Sequence, residues 1–144
     1  MGEPIKRLDK DTYYLNIALA VSKRSTCLKR HYGCVIVKND SVIATGYNGS
    51  ARNQENCCDK GQCERMNVAH NSGNYADCPA VHAEQNALLL LSRSETIGAI
   101  LYLAGEDLSG EEPICMTDCK PCPICERMIM NSGIIKVVGK KKAE

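Results

Sequence analysis

Two thiols three positions apart, Cys122 and Cys125 in the stretch PCPIC, restrict the fold of this 144-residue chain more than any other feature. The run they open reads as a helix from Cys122 to Asn131, stopped by Ser132 and Gly133. At a helix start, positions i and i+3 share a face, and the unpaired N–H groups and helix dipole there stabilise thiolates. Such a pair either grips a metal or cycles as a redox couple. The chain carries ten cysteines. In a secreted domain they would suggest disulfides, but the N-terminus lacks the apolar stretch of a secretory signal, so metal or thiol chemistry in the cytosol is expected.

The stretch HAEQNAL, His82 to Leu88, sets a histidine and a carboxylate at the head of an apolar helical run read as Val81 to Ser92. If both helix starts lie at one edge of a sheet, His82, Cys122 and Cys125 supply three ligands to one ion. The fourth position then stays open for water, as in a catalytic zinc site. Two thiolates neutralise the dication, so the water needs a neighbouring base, and Glu84 is placed to be one. Taken singly, His82 reads as a core histidine and Glu84 as a surface charge; together those readings are poor.

The remaining elements follow from periodicity. Tyr14, Leu15, Ala18, Leu19 and Val21 recur at helical spacing within Asp11 to Arg24, with Asp11 and Thr12 as N-cap candidates. Cys34 to Lys38 and Val42 to Tyr47 form a hairpin around Asn39 and Asp40, and AILYLAG and IIKVVG are further strands. Residues 49–79 are a long Cys-rich excursion and residues 104–118 an insertion before the metal helix, whose SGEE stretch suits a turn or small hairpin. The order α-β-β-α-β-α-β implies one domain over 1–144 with a mixed sheet of about five strands and helices on its faces.

HAE paired with PCPIC resembles the signature of the cytidine and deoxycytidylate deaminase superfamily. SKRSTCLKR, ATGYNG, NCC, AVHAEQNALL, LYL and MIMNSGIIKVV are similar to its deoxycytidylate branch, so the likeness spans roughly Tyr13 to Val138. The resemblance implies a three-layer α-β-α sandwich, Zn²⁺ on His82, Cys122 and Cys125, and Glu84 as proton carrier in hydrolysis of dCMP to dUMP. It also implies that Asn48 contacts the sugar, the backbone at Ala83 reads the base, Arg24 and Ser25 hold the phosphate, and Tyr102 lines the pocket. Some members carry a second, structural zinc; Cys27, Cys57, Cys63 and Cys78 are one ligand set for it, with His70 or Cys58 as substitutes. Homo-oligomers are expected from the same likeness.

A formal net charge of +1 offers no global field for nucleic acid, and no basic stripe with interleaved aromatics is present. No run approaches the roughly 18 apolar residues of a membrane span. The loop after GYNG, with Ala51, Arg52 and Asn53, departs from the small and proline residues usual in regulated members, which bears on dCTP and dTTP as effectors. Other readings are a deaminase of a free nucleoside, base or RNA-borne base, and a zinc-stabilised module without catalysis.

Overall fold

The computed structural model describes residues 2–69 and 77–140; His70 lies outside them. Helix α1 spans Lys10–Ser22 and is capped by Asp9, whose carboxylate accepts from the Thr12 N–H at 2.7 Å. The cap is therefore Asp9 rather than Asp11 or Thr12. Strands β1 (Arg30–Lys38) and β2 (Ser41–Tyr47) are joined by Asn39 and Asp40, both left-handed at φ 51 and 59. That is the backbone a two-residue hairpin turn needs, and short polar side chains tolerate it.

β1 starts at Arg30, four residues before the expected Cys34, because its length is set by β5 (Ile100–Asp107), with which Arg30 to Val37 pair antiparallel. β3 (Gly49–Ser50) pairs with β4 (Ala80–Val81) and closes the ends of the Cys-rich excursion, which also contains the short α2 (Cys57–Lys60). α3 is only Ala83–Leu88, and α4 (Arg93–Thr96) follows it. β6 (Ile114–Cys115) folds back on the end of β5, so the insertion does make a small hairpin. α5 (Pro123–Ser132) ends at Gly133 with φ 83, and β7 (Lys136–Val138) runs parallel to β5.

The main sheet thus has five strands: β2, β1 and β5 antiparallel, with β6 and β7 beside opposite ends of β5. Alternation along the central strands makes two cores. Val35, Val37, Tyr102 and Ala104 face Tyr14, Leu15 and Ala18 of α1. Cys34, Ile36, Leu101 and Leu103 face Ala83 and Ala87 of α3 and Ile129 of α5. The result is a three-layer α-β-α sandwich. Among the described residues, no helix is long and apolar enough to cross a membrane.

α3 lies directly on β2. A Cβ on Gly46 would run into the Ala83 carbonyl and the Ala87 amide, which are backbone atoms that cannot swing aside. Asn86 adds a tie, donating to the Tyr47 carbonyl at 2.8 Å. Gly46→Ala is expected to cost about 1–3 kcal/mol through overpacking. Urea denaturation reads it; an unchanged midpoint would mean that α3 slides freely on the sheet.

Candidate functional site

The two helix starts meet. His82 is the N-cap of α3, and its own N–H is held by the Gln85 side chain at 2.8 Å. Cys122 is the N-cap of α5, Pro123 begins the helix with a φ suited to it, and Cys125 follows one turn on. The His82 Nδ1 lies 3.5 Å from Cys122 Sγ and 3.3 Å from Cys125 Sγ. Tetrahedral zinc with ordinary Zn–N and Zn–S bonds separates such ligand atoms by about 3.6 Å, so the three donors stand at metal-holding distance. Among the described residues, no other group of three or more His, Cys, Asp or Glu has its ligand atoms within 4.8 Å of one another.

Electrostatics agree with that fit. Burial holds His82 below its usual pKa, aided by the positive charge of Arg65, which keeps the imidazole neutral and able to ligate. Burial pushes the Cys125 thiol up, and the nearby Glu84 and Cys122 push it further. Glu84 is 5% exposed. Burial raises its carboxyl, while its own backbone N–H and the Cys125 thiol pull the other way. Several acids crowded into so little water cannot all ionise alone, and a dication between the ligand atoms removes the conflict.

One cavity of about 130 Å³ connects these groups to the surface. His82, Ala83, Glu84, Cys122, Leu103, Tyr32 and Asn48 line it, together with Lys29, Arg30, Arg65 and Lys120. Asn48 is buried, and its amide is clamped: Oδ1 accepts from Ser25 Oγ at 2.6 Å and from the Tyr32 N–H at 2.8 Å, while Nδ2 donates to the Arg30 carbonyl at 3.0 Å. Ser25 therefore supports Asn48 and does not line the cavity. Arg24 is exposed just past α1 and is likewise absent from the lining.

Tyr102 needs a correction. It points to the α1 face, packs 5.1 Å from the Tyr14 ring and donates its hydroxyl to Asp11 at 2.8 Å. Leu103, its neighbour along β5, faces the cavity instead, since successive strand residues alternate. Tyr32, Lys29, Arg30, Arg65 and Lys120 were missed by sequence reasoning. The basic pair in CLKR was the available signal for two of them; recognising it required knowing that β1 begins at Arg30.

Cys27, Cys63 and Cys78 line the same cavity, and the buried Cys57 thiol is pushed up by desolvation and then by Cys27 and Cys63, with Cys78 contributing less. Cys58 is exposed, and its thiol lies 3.9 Å from a carboxylate oxygen of Asp59.

Residues 8–140 match the family described as the cytidine and deoxycytidylate deaminase zinc-binding region. The chain is 40% identical to the deoxycytidylate deaminase of Schizosaccharomyces pombe, over 89% of its own length and 36% of that protein. It is 37% identical to the deoxycytidylate deaminase of Mycobacterium phage D29, over 96% of its length and 100% of the phage protein. It therefore spans little more than a third of the fission-yeast relative and the whole of the phage one. The crystal structure of dCMP deaminase from the cyanophage S-TIM5 in complex with dCMP and dUMP is similar, with TM-score 0.64, 28% identity, and coverage of 92% of this chain and 83% of that one. With its paired helix starts and carboxylate arranged as described and nearly its whole length matched, this chain belongs to the cytidine and deoxycytidylate deaminase family.

Proposed function

We propose that the chain hydrolyses dCMP to dUMP and ammonia. The observation that carries this reading is the buried Glu84 carboxylate, set beside the three metal-holding side chains and lining the same cavity. Its similarity to the cyanophage structure with dCMP and dUMP supports the choice of substrate. His82, Cys122 and Cys125 would hold a zinc ion, which would supply a bound water acidic enough to give up its proton near neutral pH and so provide the nucleophile for C4 of the pyrimidine. Glu84 takes the water's proton, delivers it to N3, and later protonates the departing amino nitrogen, so one carboxyl serves as base and acid in turn. A zinc-stabilised module without catalysis has no use for a desolvated carboxylate, whose burial disfavours the folded state.

A substrate panel tests the reading: ammonia release from dCMP, deoxycytidine, dCTP and guanine, with dCMP expected to dominate kcat/KM. Turnover of deoxycytidine without dCMP would reject it. Adding dCTP and dTTP to that assay tests them as effectors, and light scattering on the same sample tests the homo-oligomer. The exposed Leu89, Leu90, Met130 and Ile135 are apolar surface that such an assembly would cover. Ten free thiols suit a reducing, cytoplasmic setting, which fractionation of cells would check.

In this reading Cys27, Cys57, Cys63 and Cys78 would close in around a second, structural zinc: the other three thiols are felt at Cys57, although no three of the four sulfurs lie within 4.8 Å of one another. Cys57→Ser is expected to lower bound zinc by one ion per chain and to loosen the excursion towards proteolysis. Unchanged zinc content would remove this site.

A further inference from the structure

We propose that Gln85 is a positioning residue for the metal-holding group, its side chain bridging the start of α3 to α5 and fixing the angle at which His82 meets the two sulfurs. The inference rests on the zinc reading of His82, Cys122 and Cys125. At 6 residues, α3 is too short to hold its own first turn by helix propagation. His82, at φ −72 and ψ 154, lies just outside it in extended backbone, so the aim of its ring depends on whatever ties that residue down.

Histidine is an uncommon residue for this place. Helix N-caps are mostly Ser, Thr, Asp or Asn, whose short side chains hold the first turn, whereas the His82 ring has another duty, with Nδ1 3.5 and 3.3 Å from the sulfurs of Cys122 and Cys125. Gln85 supplies the returning half of a capping box, its Oε1 accepting from the His82 N–H at 2.8 Å. The His82 carbonyl accepts from the Asn86 N–H at 3.0 Å. Both backbone polar groups of the ligand are therefore tied into α3.

The same side chain reaches the other helix. With Oε1 facing the His82 N–H, the amide nitrogen is turned the opposite way, and Nε2 stands 3.9 Å from the Met128 sulfur. Gln85 follows His82 by three positions, as Met128 follows Cys125, so each end of the bridge shares a helix face with the ligand behind which it stands. An amide-to-thioether contact is weak by itself. Its effect is to favour one rotamer and one amide orientation of Gln85, which keeps the acceptor on His82. Gln85 does not line the cavity, so it acts on the ligand and not on the substrate. Partners that orient a metal ligand in this way are worth about ten- to a hundred-fold in metal affinity.

Competition with a zinc chelator, read on wild type and on Gln85→Ala, Gln85→Glu and Met128→Leu, tests the bridge; Cys125→Ala, which lacks the site, shows which bound zinc belongs to it. Gln85→Ala is expected to weaken that zinc about ten- to a hundred-fold. Gln85→Glu, which keeps an acceptor oxygen for the His82 N–H, should restore most of the affinity. Met128→Leu, which keeps the bulk and loses the sulfur, should weaken it a few-fold. Urea midpoints separate positioning from plain helix capping, since weaker zinc binding makes the zinc-loaded midpoint of Gln85→Ala fall further than the zinc-free one. Equal falls in both with zinc affinity unchanged overturn the proposal. Failure of glutamate to rescue overturns the role of the oxygen, and undiminished affinity in Met128→Leu overturns the bridge to α5. If Cys125→Ala holds as much zinc as wild type, the zinc reading falls and takes this one with it; if it holds less and Gln85→Ala is unimpaired, only the role of Gln85 falls.

Discussion

Glu84→Gln retains its zinc and loses turnover by at least about 10²–10⁴-fold, the range general acid–base catalysis contributes. Glutamine keeps the size and hydrogen-bonding reach of the carboxylate but can neither accept the water's proton nor return it. The site that surrounds residue 84 is otherwise unaltered, since the three ligand atoms come from His82, Cys122 and Cys125. Because desolvation disfavours the ionised carboxylate, the variant should also unfold at equal or higher urea concentration than wild type. Metal analysis, an ammonia assay and a denaturation curve on one preparation measure all three effects. Retained turnover in the glutamine variant would mean that another group moves the proton.

Cys125→Ala is the second large effect expected, and it acts on a different quantity. Cys125 is fully buried at the start of α5, with its sulfur 3.3 Å from the His82 ring. Removing it leaves two ligands, below the three a catalytic zinc site needs, so zinc content falls and turnover drops below detection. Stability falls as well, because an ion that binds only the folded chain adds about 4 kcal/mol when present at a thousand times its Kd. The variant is a cleaner test than chelation of wild type, which would strip any second zinc at the same time. Elemental analysis and thermal melts with and without added zinc check it; full zinc occupancy in Cys125→Ala would exclude this residue as a ligand.

Much of the fold is legible in the chain because local and tertiary preferences coincide. Asn39 and Asp40 suit a tight left-handed turn, and the flanking β-branched residues have only to pair across it. The site was legible in two parts: spacing puts Cys122 and Cys125 on one face of a helix start, whereas the pairing of His82 and Glu84 with them came from the resemblance of HAE and PCPIC to the family signature. The failures mark where spacing says nothing. Leu88 to Leu91 read as a continuing helix, but α3 stops at Leu88 and Leu89 is 74% exposed, since apolarity does not reveal whether a surface awaits the side chain. Tyr102 went to the wrong face because alternation separates odd from even positions without saying which set meets the cavity. Arg30 was overlooked because the start of β1 is dictated by β5, some seventy residues later in the chain.

The short β3–β4 ladder carries a wider consequence. It brings Ser50 opposite Ala80 and Gly49 opposite Val81, the residue just before His82, so the two feet of the excursion are pinned side by side whatever lies between. Doubling the length of a flexible loop with fixed feet costs only about 0.6 kcal/mol. The roof over the cavity is thus free to be rebuilt, lengthened or trimmed in evolution or by an engineer while the bond-breaking apparatus beneath stays in register, which separates the choice of molecule admitted from the chemistry performed on it.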